Sequence, residues 1–172
     1  MVYEMTYQIE IANRIERGRC VGNDYVVTQR PIGQTTILAR FPEREDAEKW
    51  ITQRRIRNVV AEVRTQLGPS VLRPDWRKRR PVDAVASWGC CYVAAEAVYH
   101  ALGGAASGLR PTFVRVGETP HWYLTADDGA VIDPTADQFA SPPDYSAGIG
   151  KGFLTREPSA RTRLVLQKAG LA

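Results

Sequence analysis

Apolar and polar positions divide the chain into an alternating front part, a helical middle and a hairpin-rich remainder. Tyr3, Met5, Tyr7, Ile9 and Ile11 alternate with other residues, the period of a half-buried strand, although I-E-I-A-N-R-I-E-R also suits a short helix. The strand is the preferred reading. D-Y-V-V-T-Q-R and T-T-I-L-A-R-F follow as β-branched runs, and the P-I-G-Q between them predicts an antiparallel hairpin. The next run, P-E-R-E-D-A-E-K-W-I-T-Q-R-R-I-R, has Pro42 in a first helical turn, acids early and bases late, the order that a helix dipole favours. Ala47, Trp50, Ile51 and Arg54 share one face, so this helix is expected to lie on the hairpin, making residues 20–57 a small ββα unit. A second helix is predicted over N-V-V-A-E-V-R-T-Q-L-G, with Val59, Val60, Val63 and Leu67 at helical spacing and Gly68 as its stop.

Periodicity ceases from Pro69 to Pro81, where three prolines and five bases predict a connector. W-G-C-C-Y-V-A-A-E-A-V-Y-H-A-L-G-G then reads as a helix whose stripe of Val93, Ala94, Ala97, Val98, Ala101 and Leu102 suits a buried central element, ended by Gly103-Gly104. P-T-F-V-R-V, H-W-Y-L-T-A and A-V-I-D-P-T predict strands, with D-D-G at 127–129 as a tight turn before the last. Beyond Phe139 a loop is expected. Its G-I-G-K-G run lacks the G-x-x-x-x-G-K-[ST] spacing of a phosphate-binding loop. Pro158 and Ser159 start a final helix that Gly170 ends. The expected organisation is α+β: a strand, hairpin and helices over 1–68, a basic Pro-rich connector over 69–81, and a core over 82–172 with a C-terminal loop and helix.

Length and composition narrow the class. The 172 residues fit one ordinary domain, or one domain with a small appendage, and 44% hydrophobic with 24% charged residues is ordinary for a globular chain. No apolar run approaches the roughly 20 residues that span a bilayer, and M-V-Y-E-M-T-Y lacks the basic and apolar regions of a secretory signal, so a cytoplasmic location without membrane contact is expected. Three cysteines, two of them adjacent, make a poor disulfide framework and predict reduced thiols. The net charge of +4 comes largely from Arg54, Arg55 and Arg57 and from Arg73, Arg77, Lys78, Arg79 and Arg80. Such runs are ordinarily solvated surface, but the second offers a site for an acidic partner or nucleic acid, with only Trp76 at hand for stacking.

The chemistry converges on Cys91, His121 and Asp133. A helix N-terminus favours thiolate over thiol, and Cys90 and Cys91 stand where that effect is strongest. A thiol nucleophile needs a base, and the base needs a group that fixes its tautomer. His121 opens a strand that can face the helix start, and a turn centred on Asp128 puts Asp133 nearly opposite it. His100, further along the Cys91 helix, is expected to face outward with Glu96. Cys20 is read as incidental and Cys90 as a packing residue. Trp88 and Trp122 are expected to line the cleft or shield it from water, and Gln138 to border it as a substrate contact, with Glu96 and Asp137 nearby. Cys91 N–H is one natural oxyanion donor; a second backbone N–H or Trp88 would supply another. A metal centre is the competing use of Cys90, Cys91, His121 and Asp133, but adjacent cysteines converge poorly on one tetrahedral ion and no C-x-x-C is present, so neither metal nor cofactor is expected.

Over residues 87–139 the motifs G-x-C at Gly89–Cys91, a small-residue helix ending in glycine, H-W at 121–122 and D-P-T at 133–135 resemble the transglutaminase-like branch of the papain-like cysteine enzymes. The resemblance implies a Cys-bearing helix packed on an antiparallel sheet, with Cys91 as nucleophile, His121 as general base and Asp133 as its orienting carboxylate. It implies acyl transfer through a thioester on a peptide or amide substrate, as in a peptidase, amidase, deamidase or transglutaminase. A C-Y-V-A-A-E-A helix with an H-W…D-P-T-A-D-Q-F hairpin also resembles small bacterial and phage-encoded proteins. The alternative is a catalytically silent binding or inhibitor protein that engages a partner protein or nucleic acid through its basic surface.

Overall fold

A computed structural model describes residues 6–16, 19–29 and 35–172. Tyr3, Met5 and the P-I-G-Q turn lie outside the described residues. The fold is α+β, with two antiparallel sheets in two compact units, Met1–Arg57 and Asn58–Ala172. The dividing point falls inside a helix, ahead of the 68/69 boundary that composition suggests.

In the first unit β1 (Tyr7–Glu16), β2 (Arg19–Gln29) and β3 (Thr36–Phe41) lie in that order. The strand expected from the alternation of Tyr7, Ile9 and Ile11 is β1, and it joins the hairpin strands in one sheet because β2 begins at Arg19 and pairs along it, with Ile11 opposite Tyr25 and Asn13 opposite Asn23. The early half of β2, R-C-V-G-N-D, has no apolar alternation, so ladder hydrogen bonds rather than side-chain pattern define it there. Val26, Val27 and Ala47 are buried, and Trp50 of α1 (Arg44–Thr65) packs edge-on against Tyr7 and tilted against Phe41. The two expected helices over 42–68 are one, since no glycine or proline interrupts Arg44–Thr65. Gly68, expected as the stop, instead caps a 3-10 turn at Pro69–Val71.

The second unit is built on a sheet of order β6-β5-β4-β7, from β4 (Leu109–Val116), β5 (Thr119–Ala126), β6 (Val131–Ile132) and β7 (Ile149–Gly150). β7 comes from the G-I-G-K-G run, which therefore ends as an edge strand against Thr112 and Phe113. The alanine-rich helix α3 (Cys91–Ala101) packs on β4 and β5, and α4 (Ala160–Ala169) packs on α3. Val93, Val98, Leu124, Val165 and Tyr123 are buried between these layers, each large aliphatic contributing about 1.5–3 kcal/mol. Ser159 accepts from Thr162 N–H to start α4, and Gly170, left-handed at φ 68°, ends it.

The basic stretch is not a bare connector. It holds the 3-10 turn and α2 (Pro74–Arg79), and Val71 and Leu72 enter the core of this unit. Two of its bases serve the backbone: Arg77 Nε donates to Pro69 O at 2.9 Å, and Arg80 donates to Ala84 O and Val85 O. Glu96, expected outside, is fully buried because α4 covers that face of α3, where Thr162 donates its hydroxyl to Glu96 Oε2. His100 is half-buried. Among the described residues no helix is long and apolar enough to cross a membrane.

Candidate active site

Three chain turns bring the chemistry together. Gly89 is left-handed at φ 69°, and a Cβ there would stand 3.1 Å from Trp76 and 3.2 Å from the Leu72 side chain, so glycine permits the close turn that starts α3. Cys90 is the N-cap residue, and no side chain caps the helix start. Its thiol is buried against the carbonyls of Gly68, Ala86 and Trp88, and burial pushes that thiol up from its ordinary pKa. Cys91, the first helical residue, is half-exposed, with Sγ 3.9 Å from Pro120 O at the start of β5. None of the described hydrogen bonds is donated by its N–H, whereas Cys90 N–H is held by Ser87 O and Gly89 N–H by Gln138 Oε1.

His121 is buried, with its Nε2 at 2.6 Å from Asp133 Oδ2. The strand register differs from the expectation: Leu124 faces Ile132 and Thr125 faces Val131, so continuing the ladder sets Asp133 opposite Tyr123. The bond to His121 is therefore diagonal, between same-face neighbours two residues apart, and β6 ends at Ile132 so that Asp133 can lean across. Asp133 is saturated. Oδ2 also accepts from Tyr145 Oη at 2.8 Å, and Oδ1 accepts from Thr135 N–H at 2.9 Å and Thr135 Oγ1 at 3.2 Å. The D-P-T sequence thus folds the threonine back onto its own aspartate, with Pro134 restricting the backbone between them.

Electrostatics follow from these contacts. Burial opposes a charge on His121, but the bonds and charges of Asp133 and Cys91 outweigh it and raise its pKa to about 9. Burial likewise works against the Asp133 carboxylate, yet His121, Thr135 and Tyr145 hold it below the ordinary 3.8. Burial and the neighbouring carboxylate push Tyr145 up, keeping it a donor. With Nε2 committed to Asp133, Nδ1 is the ring nitrogen not held by that carboxylate, and Cys91 is near enough to His121 to help raise its pKa.

Gln138, expected as a substrate contact, lines the cleft, but its amide is already engaged. Nε2 donates to Thr135 O and Oγ1, both at 3.0 Å, and lies 3.3 Å from His121 Nδ1, while Oε1 takes Gly89 N–H. It links the loop of Thr135 to the Gly89 turn beside His121. Trp88 packs on Trp76, and Trp122 packs among Tyr92, Phe113 and Phe153, both tryptophans facing the cleft with one side. The cleft encloses about 550 Å³ and includes Cys91, His121 and Phe139 in its lining. Asp137 points away from chemistry. It accepts from Ser87 Oγ and from Nη1 and Nη2 of Arg64, whose Nη1 also donates to Pro134 O at 2.6 Å. Among the described residues no group of three or more His, Cys, Asp and Glu side chains converges as a metal site.

Tyr145 and Arg64 are the supporting residues that sequence reasoning missed. Neither lies near the motifs in the chain, and only the closure of the loop after Phe139 and the length of α1 bring them there. Comparison with family models, with curated proteins and with solved structures finds no match to this chain.

Proposed function

We propose that this protein is a cysteine-dependent acyl-transfer enzyme of the transglutaminase-like, papain-like kind. The observation that carries the reading is a buried His121 held through Nε2 by a fully bonded Asp133, next in the chain to Pro120, whose carbonyl lies 3.9 Å from the half-exposed Cys91 thiol at a helix start. The Cys91 thiol first gives its proton to His121 Nδ1, forming the imidazolium that the raised pKa of His121 favours, and Sγ then attacks the carbonyl carbon of an amide or peptide. The oxygen of the tetrahedral intermediate takes the Cys91 N–H, the uncapped donor at the start of α3. Collapse breaks the C–N bond, and the imidazolium returns its proton to the leaving amine, giving a thioester. Water or an amine then attacks that thioester, His121 again takes the proton, and the free thiol is regenerated. Asp133 keeps the ring in the tautomer that each step needs.

Cys91→Ala tests the reading in a screen of peptide, amide and thioester acyl donors. Turnover and a trapped acyl-enzyme are expected in the wild type and absent in the variant; a substrate turned over equally by both refutes the mechanism.

A further inference from the structure

The cleft itself carries a charge signature that the acyl-transfer chemistry does not require. Its lining includes Trp76, Trp88, Trp122, Tyr92 and Phe139, flat apolar walls around the thiol, and two guanidinium groups, Arg73 and Arg161. Among the described residues no aspartate or glutamate lines it. The charge of His121 is met by Asp133 at 2.6 Å, so the two arginines set the charge of the cleft. Arg161, in the first turn of α4, is half-buried and forms no ion pair among those described; its Nη1 donates to Val71 O at 3.2 Å. Its charge is felt by Cys90 and Tyr92, the two neighbours of Cys91 in the chain. Arg73 is more exposed and bonds Asp75 through Nε at 3.2 Å, which offsets part of its charge.

A guanidinium beside aromatic walls, with no acid facing it, binds a planar or apolar group that bears a carboxylate or phosphate, through charge-assisted hydrogen bonds that lysine would not reproduce in a bidentate geometry. We propose that the acyl donor of this enzyme is anionic and aromatic or otherwise flat, with Arg161 as the main residue that selects the anion and Arg73 as the second. This inference rests on the assignment of Cys91 as the reactive thiol.

Three N-aryl iodoacetamides that differ only at the para position, carrying a carboxylate, a neutral carboxamide or a trimethylammonium, test it without a known substrate. Each alkylates a thiol with loss of iodide, and rates at Cys91 are read by mapping the modified peptide and normalised to those of 2-mercaptoethanol. In low salt the carboxylate probe is expected to react about 5- to 30-fold faster than the carboxamide, the range that two partly exposed ion contacts give. The cationic probe is expected to be slowest. Arg161→Gln should cut the carboxylate-to-carboxamide ratio by more than Arg73→Gln does, and Arg161→Lys should restore part of it. Unfolding would itself bring the ratio toward one, so the ratio is read only in variants whose buried Cys90 stays unmodified. A ratio near one in the wild type, or one that both arginine replacements leave unchanged, overturns the anion selectivity alone. If no probe modifies Cys91 while Cys20 is modified, the cysteine mechanism fails and this inference with it.

Discussion

Asp133→Asn strikes the one contact on which the whole site depends. In the native protein Oδ2 faces two donors, His121 Nε2 and Tyr145 Oη, and Oδ1 faces Thr135 N–H and Oγ1. An asparagine that keeps its carbonyl toward Thr135 turns an NH₂ group toward both other donors, and each buried donor left without an acceptor costs about 1–3 kcal/mol. Loss of the carboxylate also leaves burial, the largest influence on His121, opposed by Cys91 alone. The pKa of His121 is then expected to fall from about 9 toward 6.5 or lower. The chain has two histidines, so an NMR titration of labelled rings resolves the shift, with His100→Gln supplying the assignment. Stability follows with a definite sign. His121 binds its proton more tightly folded than unfolded, so its contribution is complete below pH 6.5 and is lost as pH rises through about 9. Asp133 binds its proton less tightly folded, so its contribution is present above 3.8 and is lost as pH falls through its lowered value. The deficit of Asp133→Asn in urea unfolding is therefore greatest between about pH 4 and 6.5 and shrinks toward pH 9. A wild-type His121 titrating near 6.5 and unmoved by Asp133→Asn would refute this reasoning.

Tyr145→Phe removes one charge-assisted bond to Asp133, about 1.5–3 kcal/mol, and the loss should be full above pH 4 and vanish in acid as Asp133 protonates; urea unfolding at a series of pH values reads it. Arg64→Leu frees Pro134 O and Asp137, and because that ion pair is partly exposed the expected cost is about 1–2 kcal/mol, with faster amide exchange over 135–138 as its mark. Gly148→Ala would set a Cβ 1.8 Å from Tyr123 Oη and 3.0 Å from Tyr145 O, so the loop that delivers Tyr145 must move; a loss of about 1–3 kcal/mol or more is expected in denaturant unfolding.

Elements with strong local signals were legible before any coordinates. The alanine stripe of α3, the D-D-G turn and the Ser159 and Gly170 ends of α4 each carry their own instruction in a few residues. Less legible were features set by pairing between distant segments. β2 extends through polar residues because β1 offers a ladder partner, and α1 runs on because nothing breaks it. The basic stretch at 69–81 looked like a linker because its two anchors, Val71 and Leu72, are outnumbered by bases, two of which bond carbonyls. At the site, turn arithmetic brought His121 and Asp133 together but set them directly opposite, whereas the observed register makes the bond diagonal. Glu96 looked like a surface acid until α4 supplied Thr162 over it. Tyr145 carried no signal, since a tyrosine in a Pro-rich loop becomes a ligand of Asp133 only once that loop closes.

Graded-pH alkylation with iodoacetamide, followed by mapping of the three cysteines, tests the central claim most directly. Cys20 is exposed and stands in for an ordinary thiol, and Cys90 is buried. The account predicts that at pH 7 Cys91 reacts faster than the more exposed Cys20, that Cys90 is protected until the protein unfolds, and that His121→Ala removes the advantage of Cys91. Modification of Cys20 ahead of Cys91 in the native protein, or a Cys91 rate indifferent to His121→Ala, would contradict it.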